Sequence, residues 1–237
     1  MKEAELATRK TSSEPGYKCS KCQDSGVIMY QVDGIWYGKE CECEKEKRTK
    51  KNIERAGFNA LFENKDFSNY EARTKEQETL KKVCQGFVSQ DEIKSIALLG
   101  NVGSGKTHLA VAILKEIAKK GRTVYPIGYV ELARTLSANA LDEVAYNRIM
   151  GNLATVNTLM IDDLFKGKVT EANLRAIYEL INRRYTRNLA TIITSEKNLE
   201  ELMDLDSAIA SRIAEMAGQK YVLNIQKIDN YRLRRRA

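Results

Sequence analysis

Short apolar segments alternate with amphipathic segments along the chain from about residue 95 onward. The apolar segments have the length of strands, and the amphipathic ones repeat apolar residues at the spacing of one helix face. This alternation predicts an α/β fold in which helices cover both faces of a parallel sheet. Strands are predicted at residues 95–99, 123–127, 158–162, 190–194 and 221–225. Helices are predicted at residues 106–119, 129–138, 142–153, 171–188 and 207–216.

The N-terminal part of the chain has a different pattern. Residues 1–18 are polar and predict a flexible tail. The following segment contains VIMYQVDGIWYG, which predicts a β-hairpin that turns at Asp33 and Gly34. A charged linker completes this small module, so that we predict a tail at 1–18, a module with its linker at 19–55, and one larger domain at 56–237.

The composition is compatible with this division. With 237 residues, of which 43% are apolar, the chain can bury a full core. Its net charge of +7 favours a polyanionic partner. The basic end of the chain, with Arg232, Arg234, Arg235 and Arg236, is either a solvated tail or a nucleic-acid contact. No apolar run reaches the roughly 18 residues that span a bilayer and no signal peptide is evident, so we expect a cytoplasmic protein without a membrane partner.

A phosphate-binding loop is predicted where an apolar strand meets a helix, in IALLGNVGSGKTHLA. Glycines allow the backbone N–H groups to fold around phosphate, and the helix N-terminus adds a positive dipole end. Lys106 is predicted to bind the β- and γ-phosphates of ATP and assist catalysis, and Thr107 to bind Mg²⁺. The alternative is an ordinary glycine-rich turn. The predicted nucleotide-binding residues of the loop are Gly100, Asn101, Val102, Gly103, Ser104, Gly105, Lys106, Thr107 and His108.

An acidic pair ends the apolar strand in TLMIDDLF. The end of a strand is a position from which a carboxylate reaches a metal ion at the phosphate loop. Asp162 is predicted to hold Mg²⁺ and to contribute to the nucleotide site, and Asp163 to orient or activate the attacking water. A polar turn after a buried strand is the alternative explanation.

Four cysteines flank the predicted hairpin: Cys19 and Cys22 before it, Cys41 and Cys43 after it. Two thiolate pairs that a hairpin brings together suit tetrahedral Zn²⁺, which we predict here. Disulfides are the competing interpretation, although cytosolic thiols are reduced, and an iron–sulfur cluster also uses four cysteines. Trp36, in the hairpin, either packs with Tyr37 against the metal-bound turns or forms with it an exposed partner-binding face.

With these features in place, the sequence resembles the DnaC and DnaI type helicase loaders, which are AAA+ ATPases, with the IstB transposition ATPases as relatives. The resemblance rests on the cysteine module and on the segments GNVGSGKTHLA, LMIDDLFKGKVTEANLRAIYELINRRY, TIITSEKN and SAIASRIAEM. The sequences IDDLFKGK and TSEK are most similar to those of the phage-borne branch. IstB proteins typically lack the cysteine module.

The resemblance implies that ATP lies between adjacent subunits of a ring or spiral. Arg212 then matches the catalytic arginine finger that reaches the γ-phosphate of the neighbouring subunit, whereas an ordinary surface arginine is the alternative. Ser195 matches the neighbourhood of the sensor that detects the γ-phosphate. Host-type loaders usually have Asn where this chain has Glu196.

The implied function is ATP-dependent loading of a replicative hexameric helicase onto single-stranded DNA, with the zinc module holding the helicase. The segment at 129–153 matches an insertion that lines the DNA path, with Tyr129, Arg134, Tyr146 and Arg148 as DNA contacts or, for the tyrosines, as core residues. Two aromatic residues, Phe62 and Phe67, either match an element before the core or belong to a linker packed onto it. The alternative functions are a transposition ATPase and an inhibitor that binds a helicase.

Overall fold

The computed structural model describes residues 17–55, 64–90, 92 and 94–225 of the chain, and it divides into two compact units, Met1–Lys51 and Asn52–Ala237. The predicted tail lies outside the described residues except for its last two positions. Within the described ranges, no helix is both long enough and apolar enough to cross a membrane.

The first unit contains the predicted hairpin. Strands β1 (Val27–Val32) and β2 (Ile35–Glu40) pair antiparallel, and Val32 pairs with Ile35 across the two turn residues. Asp33 and Gly34 have φ values of 49° and 81°, which matches a two-residue turn whose twist suits a hairpin. Helix α1 (Glu42–Arg55) follows, where the sequence analysis expected a charged linker. Its two early glutamates, Glu42 and Glu44, face the positive end of the helix dipole.

The second unit is built on a five-stranded, wholly parallel sheet with the order β4-β5-β6-β3-β7. Helices flank this sheet, so the predicted fold class is confirmed. All five predicted strands are present, with ends that differ by at most one residue. They are β3 (Ile96–Gly100), β4 (Val124–Gly128), β5 (Thr158–Asp162), β6 (Ala190–Ser195) and β7 (Val222–Ile225).

The five predicted helices are also present, with ends that differ by at most two residues. They are α3 (Lys106–Lys119), α4 (Tyr129–Ala138), α5 (Glu143–Thr155), α6 (Glu171–Thr186) and α8 (Ser207–Ala217). The sequence analysis gave no bounds for α2 (Lys75–Val88), although Leu80, Cys84 and Phe87 have helical spacing, and it did not place α7 (Leu199–Leu205) or the short 3₁₀ helix Gln219–Tyr221.

Alternating side chains of the interior strand β3 contribute to two hydrophobic cores, one on each face of the sheet. Ile96 and Leu98 pack in the core that also contains Phe87 of α2 and the apolar face of α3. Ala97 and Leu99 pack in the other core with residues of α4, α5, α6 and α8. Because both faces are covered, the strand is apolar throughout, as expected for a central parallel strand.

A buried arginine joins α5, α6 and β6. Arg184, which is fully buried, donates through Nη1 to the backbone oxygens of Leu153 (2.7 Å) and Val156 (3.0 Å) and through Nη2 to that of Ala190 (2.5 Å). Its Nε donates to Thr191 Oγ1 at 2.9 Å. Burial lowers the pKa of this guanidinium to about 10. The hydrogen bonds satisfy carbonyl groups at the end of α5 and the start of β6.

The strand order brings together, at one edge of the sheet, three segments that the sequence analysis predicted to be functional. β6 lies between β3 and β5, and all three run in the same direction. The loop after β3, the aspartates at the end of β5 and the residues at the end of β6 therefore meet at the carboxyl edge, where open α/β sheets bind ligands.

Candidate functional site

The loop after β3 has a backbone that side chains would obstruct. Gly100 has φ 112°, and a Cβ there would lie 2.5 Å from the backbone oxygen of Ile225. At Gly105, with φ 91°, a Cβ would lie 2.8 Å from the ring of Tyr70. Helix α3 begins at the next residue, so its free N–H groups and positive dipole end point into the loop.

Lys106 is buried at the base of this loop. Its Nζ donates to the backbone oxygens of Gly100 and Asn101, both at 2.6 Å. Burial lowers the pKa of Lys106, and the nearby carboxylate of Asp163 acts in the opposite direction. The ammonium is thus positioned within the loop where an anionic phosphate would bind.

Thr107 and Asp162 form a hydrogen-bonded pair of side chains with oxygen atoms. The Thr107 hydroxyl donates to Asp162 Oδ1 at 3.0 Å, and Thr194 donates to the same oxygen at 2.6 Å. Burial raises the pKa of Asp162, whereas the hydrogen bond from Thr194 lowers it. A hydroxyl and a carboxylate are hard oxygen donors, which suit Mg²⁺ next to a phosphate group.

Thr194 also fixes the backbone of Asp163. The Asp163 N–H donates to Thr194 Oγ1 at 2.8 Å, and the Leu164 N–H donates to Thr194 O at the same distance. Ser195 Oγ donates to Leu164 O at 2.8 Å. The sequence analysis singled out Ser195 but missed Thr194, which contacts both aspartates. Ser195 is buried and does not line the cavity described below.

A cavity of about 700 Å³ opens beside the loop. Tyr70 lines it with a hydroxyl that has no hydrogen-bond partner within the described residues, and burial raises the pKa of this phenol to about 12. His108 Nε2 lies 2.9 Å from Asp66 O and 3.0 Å from Asn69 Oδ1, so the imidazole contacts the segment before α2. The cavity is lined by Asn64, Lys65, Asn69, Tyr70, Glu71, Gln77, Val102, Gly103, Ser104, Gly105, Lys106, Thr107, His108, Asp163, Lys166 and Glu196.

The sequence analysis did not assign residues 64–77 to the site. It drew attention only to nearby aromatic residues, of which Phe67 packs against the core and Phe62 lies outside the described residues. The N-cap motif at Thr74 and Gln77 was an available signal that a helix, and hence an ordered segment, begins there.

The four cysteines of the first unit form one cluster. Their sulfur atoms all lie within 4.8 Å of one another, with 3.7 Å between Cys19 and Cys41 and 3.3 Å between Cys22 and Cys43. None of them forms a disulfide. Zn–S bonds of about 2.3 Å in a tetrahedron place sulfur atoms about 3.8 Å apart, which is close to these distances. The cluster is therefore a candidate metal site.

The surroundings lower the pKa of one thiol of the cluster, Cys19, whereas the hydrogen bond with Cys22 raises the pKa of Cys43. Hydrogen bonding from the backbone N–H of Cys22 lowers the pKa of Cys19 to about 7. Nearby, Asp24 Oδ1 accepts from the Cys19 N–H at 2.9 Å and so orders the first cysteine turn. Trp36 and Tyr37 are 61% and 44% exposed, which favours the partner-binding interpretation of these aromatic residues over packing on the turns.

Arg212 lies on α8. It donates to Asn182 Oδ1 at 2.9 Å, to Ala208 O at 2.9 Å and to the hydroxyl of Tyr178 at 3.3 Å. The guanidinium also lies over the Tyr178 ring, 4.9 Å from its centroid. Arg212 is not among the residues that line the cavity of its own chain.

The proposed DNA-contacting residues of α4 and α5 differ in exposure. Tyr129 is buried against Phe165, and Tyr146 donates to Glu179 Oε2 at 2.9 Å. These tyrosines therefore follow the alternative of packing contacts. Arg134 and Arg148 are exposed. The C-terminal arginines Arg232, Arg234, Arg235 and Arg236 lie outside the described residues.

Comparisons with known proteins identify sequences and structures that are similar to this chain. A sequence profile of the family described as IstB-like ATP binding protein matches residues 34–237. Phage-like element PBSX protein XkdC of Bacillus subtilis is 28% identical over 233 residues, which cover 92% of this chain and 86% of XkdC. The replicative helicase loader DnaC of Escherichia coli is 25% identical over 170 residues, covering 68% of this chain and 69% of DnaC.

A solved structure is also similar to this chain. The crystal structure of the DnaC helicase loader is similar with a TM-score of 0.59 and 27% identity, over 66% of this chain and 95% of that one. These likenesses, with the cysteine cluster, confirm the resemblance that the motifs indicated, and they show that the parallel sheet and its phosphate loop form an AAA+ core.

Proposed function

Because this chain belongs to the family of IstB-like ATP-binding proteins, we propose that it is an ATPase that loads a replicative DNA helicase onto single-stranded DNA. The observation that carries this proposal is the likeness to the DnaC helicase loader, which extends over 95% of that crystal structure. The likeness supports an ATP-dependent role related to replication. The helicase, the DNA and the loading step are our proposal.

The nucleotide site supplies the chemistry that this function needs. We assign the phosphates to the loop and to Lys106, and Mg²⁺ to Thr107 and Asp162, which lie 3.0 Å apart. Mg²⁺, when bound, neutralises charge on the phosphate oxygens. Asp163, whose backbone is fixed by Thr194, orients the water that attacks the terminal phosphate.

Self-association completes the site in this proposal. Arg212 on α8 donates to Asn182 and Tyr178 and does not line the cavity of its own chain. A guanidinium that is ordered on the surface in this way is suited to reach the γ-phosphate of a neighbouring subunit, where its charge stabilises the transition state. Nucleotide binding then couples assembly of the ring or spiral to hydrolysis.

The cysteine cluster gives the first unit its role. We propose that Cys19, Cys22, Cys41 and Cys43 hold Zn²⁺, which fixes the base of the hairpin. The exposed Trp36 and Tyr37 on this hairpin are suited to an interface, in which aromatic residues contribute much of the binding energy. We therefore assign helicase binding to this unit and single-stranded DNA binding to the ATPase unit.

A binding experiment with purified components tests the partner. The full chain is mixed with the hexameric replicative helicase of its own host, and complex formation is followed by analytical ultracentrifugation. We expect a complex with the wild-type chain and none with Trp36→Ala, whose exposed side chain contributes little to folding. The matched control, Tyr17→Ala, removes another exposed aromatic residue outside the hairpin and should leave the complex intact.

Two other outcomes would redirect the proposal. If the chain binds a transposase and not the helicase, its ATPase serves transposition. If it binds the helicase and blocks unwinding equally well with Lys106→Ala, it is an inhibitor and the ATPase site plays no part in that effect.

A further inference from the structure

A lysine bridges two carboxylates at the mouth of the nucleotide cavity. Lys166 Nζ lies 2.7 Å from Asp163 Oδ2 and 3.1 Å from Glu196 Oε1. All three side chains line the cavity together with the phosphate loop. Both hydrogen bonds raise the pKa of Lys166, so its ammonium stays charged at neutral pH.

The backbone that carries Lys166 is held in a fixed position. Asp163, Phe165 and Gly167 have φ values of 55°, 59° and 81°, so the loop turns sharply through left-handed conformations. The buried side chains of Leu164 and Phe165 anchor it in the core, and Leu164 is hydrogen-bonded to β6 on both its N–H and its carbonyl side. The lysine stem is therefore the mobile part, and 45% of the side chain is exposed.

The charge arrangement would oppose nucleotide binding without this lysine. A polyphosphate that binds to the loop approaches the carboxylates of Asp163 and Glu196, which also line the cavity. Negative charges that lie close together repel strongly where water is partly excluded. An ammonium between the carboxylates neutralises this repulsion. Because an ammonium has three N–H donors, it can bind a phosphate oxygen while it keeps one carboxylate.

We propose that Lys166 is a binding residue for the terminal phosphate of ATP, and that Glu196 is the positioning residue that holds its ammonium at the cavity mouth. The proposal rests on the ATPase function and deepens it. Without a terminal phosphate, Lys166 stays paired with Asp163. With ATP bound, the ammonium turns to the γ-phosphate and keeps Glu196 as its carboxylate partner, which frees the Asp163 carboxylate to accept a hydrogen bond from water.

This assignment predicts a preference for ATP over ADP that depends on Lys166. ADP lacks the γ-phosphate, so it leaves the Asp163 ion pair intact and gains nothing from Lys166. The loss of one hydrogen bond between charged groups should lower ATP affinity about tenfold. The affinity for ADP should fall less, because ADP has no γ-phosphate to approach the two carboxylates and makes no hydrogen bond to Lys166.

Nucleotide titrations test this with three variants of the full chain. Dissociation constants for Mg·ADP and for the non-hydrolysable analogue Mg·AMPPCP are measured by calorimetry. In Lys166→Met we expect the ratio of the two affinities to fall about tenfold. Lys168→Met removes an exposed lysine two positions further along the same loop, which does not line the cavity, and should keep the wild-type ratio.

The third variant, which carries two substitutions, separates an electrostatic role from a structural one. Lys166→Met leaves Asp163 and Glu196 without their shared cation, so adding Glu196→Gln to it should restore part of the lost AMPPCP affinity. A merely structural ion pair would give no such rescue. Thermal unfolding of the nucleotide-free variants should stay near that of the wild type, because the pair is partly exposed.

The outcomes distinguish this inference from the function on which it rests. If the wild-type chain binds nucleotide and Lys166→Met keeps the wild-type ratio of affinities, the role of Lys166 is refuted while the ATPase assignment stands. If Lys166→Met weakens ADP and AMPPCP equally and Glu196→Gln does not rescue it, the lysine is structural. If the wild-type chain binds neither nucleotide, both the ATPase function and this inference are wrong.

Discussion

Replacement of Thr194 by valine would test how the end of β6 supports the acidic pair. The Thr194 hydroxyl donates to Asp162 Oδ1 at 2.6 Å and accepts the Asp163 N–H at 2.8 Å. Valine has nearly the same shape, and Thr194 is fully buried, so Thr194→Val removes these two hydrogen bonds without creating a large cavity.

The size of the effect follows from the two lost contacts. A hydrogen bond to a charged group contributes roughly 1.5–3 kcal/mol, and a buried N–H without an acceptor costs about 1–3 kcal/mol. Asp162 keeps the Thr107 hydroxyl as a partner, which limits the loss. We therefore expect the free energy of unfolding to fall by about 3 kcal/mol, a large part of the roughly 5–15 kcal/mol typical of a domain.

The same change should alter the pH dependence. Burial raises the pKa of Asp162 and the Thr194 hydrogen bond lowers it, so the valine variant should raise it further. A carboxyl group with a raised folded-state pKa contributes stability at low pH that is lost as pH rises through that pKa. The destabilisation by Thr194→Val should therefore be larger in mildly basic than in mildly acidic buffer.

Urea unfolding at two pH values measures the loss of stability and its pH dependence. The pH profile of Mg²⁺-dependent ATP hydrolysis measures the effect on Asp162. If Asp162 holds Mg²⁺ as a carboxylate, the acid limb of the ATPase profile should shift to higher pH in Thr194→Val. Thr194→Ser retains the hydroxyl and should keep the wild-type acid limb. An unchanged acid limb in the valine variant, or equal destabilisation at both pH values, would refute the role given to Thr194.

Three further predictions concern other parts of the chain. Elemental analysis should find one Zn²⁺ per chain that Cys41→Ser abolishes, and iron or a metal-free protein would contradict the cluster's assignment. Arg184→Met should reduce stability by about 3–5 kcal/mol in urea unfolding because it leaves buried carbonyl groups unsatisfied, whereas the exposed Arg187→Met should have little effect. Arg212→Ala and Asp163→Asn should each lose ATP hydrolysis. Mixing the two variants should restore some hydrolysis, because some subunit interfaces then combine an intact half from each. No recovery at any mixing ratio would argue against a shared site.

Local sequence patterns predicted the strands, five helices and the phosphate loop because each depends on neighbouring residues. The glycines of the loop are required where the backbone has positive φ and approaches other groups closely, as at Gly100 and Gly105. The hairpin was predictable for the same reason, since Asp33 and Gly34 suit its two-residue turn.

The contribution of Thr194 was not predictable in this way because it depends on strand order. β6 follows β5 in sequence and also lies beside it, but the sequence does not say that β6 separates β5 from β3. Only this arrangement places Thr194 between the carboxylate of Asp162 and the backbone of Asp163. The Lys166 bridge likewise joins the loop after β5 to the end of β6.

Helix α1 was missed for a different reason. Its sequence, ECEKEKRTKKNIER, has no apolar face, so helical periodicity gave no signal. Helix α2 did carry signals, with a capping box at Thr74 and Gln77 and buried residues Leu80, Cys84 and Phe87 at helical spacing. Seven-residue α7 is too short for periodicity to identify.

A loading assay tests the central claim most directly. The full chain, the helicase of its own host and ATP are incubated with circular single-stranded DNA coated with single-strand-binding protein, and helicase retained on the DNA is quantified after gel filtration. The account predicts that the wild-type chain raises helicase retention and that Lys106→Ala, which removes the ammonium within the phosphate loop, does not. Equal retention with and without the wild-type chain, or equal loading by Lys106→Ala, would contradict it.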